Sequence, residues 1–243
     1  LQDIQPGLQW PEAEGKVSGD ISTTGALTKQ GGWKVAVSKL DIDGVLRDYP
    51  LHIEGQLDAS DVTGKGRFRV DTPSLMLAHG PNSIEAKGKL TDEWRMSLSL
   101  DLPNLAKSVP DLSGKAIGDV VLRGPMKEPN VKLALDVDSI DFQQQAQVQH
   151  VTLTGQVTPL PKPKGNITLK VNGGVYQDYR VEDVLLTVSG GQAAHSLTLD
   201  VDSNIASTSL ALSGGLNEQP INRWAGQLER MLITSKQGEW RLN

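Results

Sequence analysis

The 243-residue sequence predicts an all-β protein of antiparallel sheet, and three features carry that reading. Apolar and polar residues alternate with period two, as in VKLALDVD at 131–138 and SLTLDVD at 196–202. Gly- and Pro-rich turn signals separate such stretches at short spacing, and helical periodicity is scarce. Strict alternation places one row of side chains on each face of a strand. Strands that are apolar on one face and wet on the other favour antiparallel over parallel sheet.

Along the chain, Trp33, Val35 and Val37 form the first alternating set, followed by Leu51, Ile53 and Leu57. GRFRV at 66–70 contributes Phe68 and Val70, and WRMSLSLDLP at 94–103 contributes Leu98, Leu100 and Leu102. Val131, Leu133, Leu135 and Val137 oppose Lys132, Asp136 and Asp138. Val151 and Leu153 follow in VTLTGQV, then Ile167, Leu169 and Val171. Leu197, Leu199 and Val201 oppose Ser196, Thr198, Asp200 and Asp202, and Leu210 with Leu212 continues the pattern. Turns are expected at Gly31-Gly32, Asp43-Gly44, Gly80-Pro81-Asn82, Asn172-Gly173-Gly174, Gly190-Gly191 and Gly214-Gly215, because glycine supplies positive φ. PLPKPK at 159–164 lacks ladder donors at its prolines and reads as a loop. LPNLAKSVPDLSG at 102–114 predicts one short helix, with Asn104 as N-cap and Gly114 as stop. In QPINRWAGQLERML at 219–232, Trp224, Leu228, Met231 and Leu232 have helical spacing. Gly226 and the following ITSKQGEW favour a strand hairpin with a bulge instead.

The chain also repeats itself. GKVSGD at 15–20 returns as GKAIGD at 114–119, and LHIEGQL at 51–57 as VTLTGQV at 151–157. GRFRV parallels GNITLKV at 165–171, and WRMSLSLDLP parallels AHSLTLDVDS at 194–203. The offset stays near 99 residues. This predicts two homologous units, 1–101 and 102–203, and the start of a further unit over 204–243. A continuous array in which neighbours share one core is expected over two separate domains.

Composition excludes several classes. A net charge of −5 gives no basic footprint for nucleic acid. The absence of cysteine excludes a disulfide framework and Cys-ligated zinc. No run of 18 apolar residues is present, so no segment reads as a membrane-spanning helix. The chain opens at Leu1 and reads as a piece of a longer protein.

An aliphatic sheet face needs cover, and little helix is predicted to supply it. A dry sandwich or barrel, a β-solenoid, or a trough left open to a ligand would each serve. With two Phe and three Tyr in the chain, the inward rows are low in bulk, which leaves volume. The order Leu105, Pro110, Gly114, Asp119, Gly124, Pro129, Val131, Leu135 and Thr154-Gly155 resembles the AsmA-like superfamily over essentially the whole chain.

That resemblance implies a long sheet bent into a U-shaped trough, a β-taco, with an aliphatic interior. It implies a periplasmic segment of an inner-membrane-anchored protein that meets an outer-membrane barrel of the Omp85 type. It further implies phospholipid transport and support of autotransporter assembly. The groove-lining set is then Val35, Val37, Leu51, Ile53, Leu57, Phe68, Val70, Leu98, Leu100, Val131, Leu133, Leu135, Val137, Val151, Leu153, Ile167, Leu169, Val171, Leu197, Leu199, Val201, Leu210 and Leu212.

Signs of catalysis are missing from the sequence, and no cofactor is expected. No G-x-S-x-G and no phosphate loop with GK[ST] occur. His52, His79, His150 and His195 are scattered and read as surface residues. Asp41 with Asp43, Asp136 with Asp138, and Asp200 with Asp202 could hold calcium from one strand face. The Gly-rich nonapeptide calcium repeat is absent, and no metal site is expected. The alternative function is an extracellular β-solenoid stalk or adhesin with a sealed core. A solenoid repeats roughly every 20–25 residues, and the period near 99 disfavours it.

Overall fold

The computed structural model describes residues 2–217 and 223–242. The described chain is all-β, as expected, and its strands form an open antiparallel sheet whose order is the order of the chain. Two compact units divide it: Leu1–Pro110 with Ala116–Pro129, and Asp111–Lys115 with Asn130–Asn243. The first unit holds β1 (Gly15–Leu27), β2 (Trp33–Leu46), β3 (Tyr49–Asp61), β4 (Arg69–His79), β5 (Asn82–Leu90), β6 (Glu93–Leu102) and most of β7 (Leu112–Pro125). The second holds β8 (Asn130–Phe142), β9 (Ala146–Thr158), β10 (Lys164–Tyr176), β11 (Tyr179–Gly191), β12 (His195–Ser203), β13 (Ala206–Asn217), β14 (Arg223–Ser235) and β15 (Gly238–Arg241). The matched phrases fall on strands six apart: β1 and β7, β3 and β9, β6 and β12.

No α-helix occurs among the described residues. The helix expected over 102–114 is a single 3-10 turn, Leu105–Lys107. Asn104 does not cap it with its side chain. Its backbone N–H instead donates to Asn82 Oδ1 at 3.0 Å, and Asn82 Nδ2 donates to the Asn104 carbonyl at 2.7 Å. Buried His79 joins this network, with Nδ1 3.0 Å from Ser108 Oγ and Nε2 2.9 Å from the Leu46 carbonyl. The connection after β6 is thereby pinned to the turn ends of β2, β4 and β5. Elsewhere, 159–163 is a loop as expected. Residues 223–232 form strand rather than helix, with Glu229 bulged between the Ala211–Arg230 and Leu212–Leu228 pairs. Residues 218–222 of that stretch lie outside the described residues.

Several expected turns are strand interior. Asp43-Gly44 lies within β2, Asn172-Gly173-Gly174 within β10 and Gly214-Gly215 within β13, while Gly190-Gly191 ends β11. Glycine serves close approach there, not chain reversal. A Cβ on Gly44 would stand 2.3 Å from the Lys16 carbonyl oxygen, and one on Gly214 would meet the Trp224 ring at 2.6 Å. Bulges also switch which residues face which way. From Val37 to Leu40 β2 uses three residues while β3 uses two, from Leu57 to Gly55. The apolar set therefore changes from odd to even numbers within one strand.

Candidate functional site

The register assembles the alternating residues into rows that run across the strands. In the second unit one row is Leu135, Leu153, Leu169, Leu186, Leu199, Leu210 and Met231, each directly opposite the next. Beside it run Val137, Val151, Val171, Val184, Val201, Thr208 and Ile233. On the other side are Leu133, Gly155, Ile167, Val188, Leu197, Leu212 and Leu228. A fourth row is nearly bare: Val131, Val157, Gly165, Gly190, His195, Gly214 and Gly226. Directly opposed aliphatic pairs each contribute about 0.2–1 kcal/mol, so the rows also hold the sheet in register.

The first unit has corresponding rows. Ile42, Ile53, Leu77, Ile84 and Leu100 form one, and Ile21, Leu40, Gly55, Leu75, Ala86, Leu98 and Val120 the next. Past the bulges, Val37 opposes Leu57, and Val35, Ala59, Val70, Leu90 and Trp94 make a further row. Leu51 opposes Gly44 and His79. Phe68 lies outside this arrangement, preceding β4 and 47% exposed. Val37 and Leu57 form only a pair and Leu51 faces no aliphatic partner, while the remaining expected lining residues sit in rows. The expectation omitted Leu75, Leu77, Ile84, Leu186, Val188 and Met231, which the register adds.

Apart from Leu51 and Leu90 in the first unit, the aliphatic side chains of these rows are not fully buried. Among the described residues the buried hydrophobic side chains are Leu51, Leu90 and Leu105. Leu135, Leu153, Leu169, Leu199 and Leu210 are half-buried. At the bare end of the second unit's rows, a cavity of about 680 Å³ is lined by Val157, Gly165, Ile167, Val188, Gly190 and His195. His195 Nδ1 donates to the Gly191 carbonyl at 3.1 Å and Nε2 accepts the Trp224 indole N–H at 2.9 Å.

The opposite face is polar. Thr154, Thr168, Thr187 and Thr198 make a threonine ladder behind the leucine row. The Asp-x-Asp pairs on β2 and β8 each meet a histidine on the next strand, a feature the sequence reading missed because nothing local marks a cross-strand partner. His52 Nδ1 is 2.7 Å from Asp43 Oδ1, and His150 Nδ1 is 2.6 Å from Asp138 Oδ1. The Asp43 carboxylate raises the His52 pKa, and Asp138 does the same for His150. Asp138 is held low in turn by His150 and then by Lys115, whose Nζ is 3.1 Å away. Ligand atoms of Asp41, Asp43 and His52 lie within 4.8 Å of one another, as do those of Asp136, Asp138 and His150. These groups are hydrogen-bonded across neighbouring strands on the polar face, each carboxylate favouring the charged form of its histidine.

No solved structure matches the chain. A curated relative, the translocation and assembly module subunit TamB of Haemophilus influenzae, is 24% identical over 234 residues. That match covers 96% of this chain and 17% of the relative, so the chain spans about a sixth of its length. The family described as TamB, N-terminal domain, matches residues 1–243, and the chain belongs to it.

Proposed function

We propose that this chain is a segment of a bridge across the periplasm that carries phospholipid acyl chains on its apolar face from inner to outer membrane. The single observation that carries this reading is the uncovered leucine row from Leu135 to Met231 over seven strands. An acyl chain gains roughly 0.8 kcal/mol per buried CH₂, about 13 kcal/mol for sixteen carbons. A continuous aliphatic floor offsets that desolvation cost, and a uniform one presents no deep trap. In this reading the sheet bends along its length into a trough. Units 1–101, 102–203 and the start at 204–243 extend it by repetition. The groove-lining set of the sequence reading, without Phe68 and with the residues added by the register, forms the floor. The threonine ladder and the histidine–aspartate pairs keep the outer face wet.

In this reading the chain, like the relative by its name, is part of a translocation and assembly module. The reading places it in an inner-membrane-anchored protein whose partner, through a region outside this segment, is the outer-membrane Omp85-type barrel TamA. It supports outer-membrane biogenesis and autotransporter assembly without catalysis. The sealed stalk is disfavoured by how few aliphatic side chains are buried.

Lipid extraction of the protein purified in mild detergent tests this. Phospholipid at a reproducible ratio to protein, identified by mass spectrometry, is the expected result. Protein free of phospholipid would favour a sealed-core role.

A further inference from the structure

The strand ends of the first unit carry a charge pattern that an acyl-chain floor does not require. The loop after β3, the turn after β5 and the segment after β7 surround a cavity of about 620 Å³ lined by Lys65, Gly66, Arg67, Asp92, Met126 and Lys127. Its charged groups are three cations and one carboxylate, in a chain whose net charge is −5. Arg67 Nη2 is 2.6 Å from Asp92 Oδ1, which leaves Lys65 and Lys127 without an ion pair among the described residues. Nearby on the polar face, Lys89, Arg95 and Arg123 stand directly opposite one another on β5, β6 and β7. Like charges so placed repel; Glu93 is 3.1 Å from Arg95, and Asp71 stands opposite Lys89 on β4.

The cavity walls are held in place. Asp61, 3% exposed, accepts the Gly66 N–H at 2.6 Å and the Thr63 N–H at 3.3 Å, which fixes the loop after β3. The Trp94 indole N–H donates to the Met126 carbonyl at 3.2 Å, and the Met126 N–H to the Asp92 carbonyl at 3.0 Å. A second cavity, of about 510 Å³, lies against the same loop and turn and is lined by Val35, Ala59, Val62, Val70 and Leu90, and also by the charged residues Lys34, Asp58, Arg69 and Asp71. Val35, Ala59, Val70 and Leu90 belong to one row of the apolar face. A cationic pocket and one with an aliphatic floor and balanced charges thus meet at residues 62–63 and 91–92.

We propose that the cationic cavity is a phosphate-ester site that holds the head group of an amphiphile whose tail lies on the aliphatic floor of the cavity beside it. The proposal rests on the lipid reading above and gives it a place where the head group is held. Lys65 and Lys127 supply charge-assisted donors to the phosphate oxygens. Asp92 keeps Arg67 oriented, and the neighbouring Lys89, Arg95 and Arg123 add attraction for an anion at longer range.

Isothermal titration of the protein and of its Lys65→Ala/Lys127→Ala variant tests this with three probes. Dioctanoyl phosphatidic acid carries phosphate and tails, dioctanoylglycerol tails alone, and glycerol 3-phosphate the phosphate alone. The expected result is that phosphatidic acid binds about tenfold or more tighter than dioctanoylglycerol, a 1.4 kcal/mol preference. The double variant should erase that preference while binding dioctanoylglycerol as before. Equal binding of both amphiphiles, unchanged in the variant, would overturn the phosphate site and leave the lipid groove standing. Glycerol 3-phosphate binding as tightly as phosphatidic acid would overturn the tail's part, making this a free-phosphate site. No binding of either amphiphile would bring down the groove and this inference together.

Discussion

Leu135→Asp and Leu199→Asp are expected to leave the second unit folded and to abolish acyl-chain retention. Both leucines lie in the long row and are half-buried, so an aspartate at either place reaches water. The loss to the sheet is that of two cross-strand aliphatic pairs, about 0.4–2 kcal/mol together. The loss to a lipid is larger, because a carboxylate in the path of an acyl chain must be stripped of water without a partner. Thermal melting and bound phospholipid, measured on the same preparations, separate the two effects. Cooperative melting near the parent temperature with phospholipid lost is the predicted outcome. If both variants lose cooperative melting, the rows are a dry core and the transport account fails.

Leu90→Ala in the first unit is expected to be the costliest single truncation of an aliphatic residue. Leu90 is 3% exposed, packed between Val70 and Trp94 in its row. Truncating a leucine so enclosed costs about 2–5 kcal/mol, because the transfer loss and the remaining cavity add. Leu169→Ala removes the same atoms from an uncovered place and should cost less than half as much. Urea midpoints at unchanged slope measure both. Equal costs would mean that Leu169 is enclosed as fully as Leu90, which an open floor forbids.

Much of this fold was legible before any coordinates. Period-two writing placed Leu135, Leu153, Leu169, Leu199 and Leu210 on strands, and the register sets them side by side. Leu186 escaped because Val184, Leu185 and Leu186 are contiguous, and an unbroken apolar run does not say which residue faces in. The β2 bulge hid the facing of Leu40 and Ile42 for a related reason: Val35 and Val37 set an odd-numbered rhythm that one extra residue reverses. Glycine misled most. Gly44 and Gly214 look like turn signals, yet each sits where a strand approaches another backbone or a tryptophan ring too closely for a side chain. The short helix shrank to one turn because Asn104 is bound to Asn82 across the strand ends, a contact with no local signature. The His52 and His150 hydrogen bonds and the cavity at Lys65 and Lys127 are likewise made by pairing distant segments.

The central claim is that hydrocarbon lies on one face of this sheet and water on the other. Leu169 and Thr168 are neighbours in β10, one in the leucine row and one in the threonine ladder. A photoreactive residue placed at each position in turn, in cells, reads which face meets lipid. The account predicts phospholipid adducts on the acyl chain at position 169 and none at 168. Equal adducts at both positions, or none at 169, would contradict it.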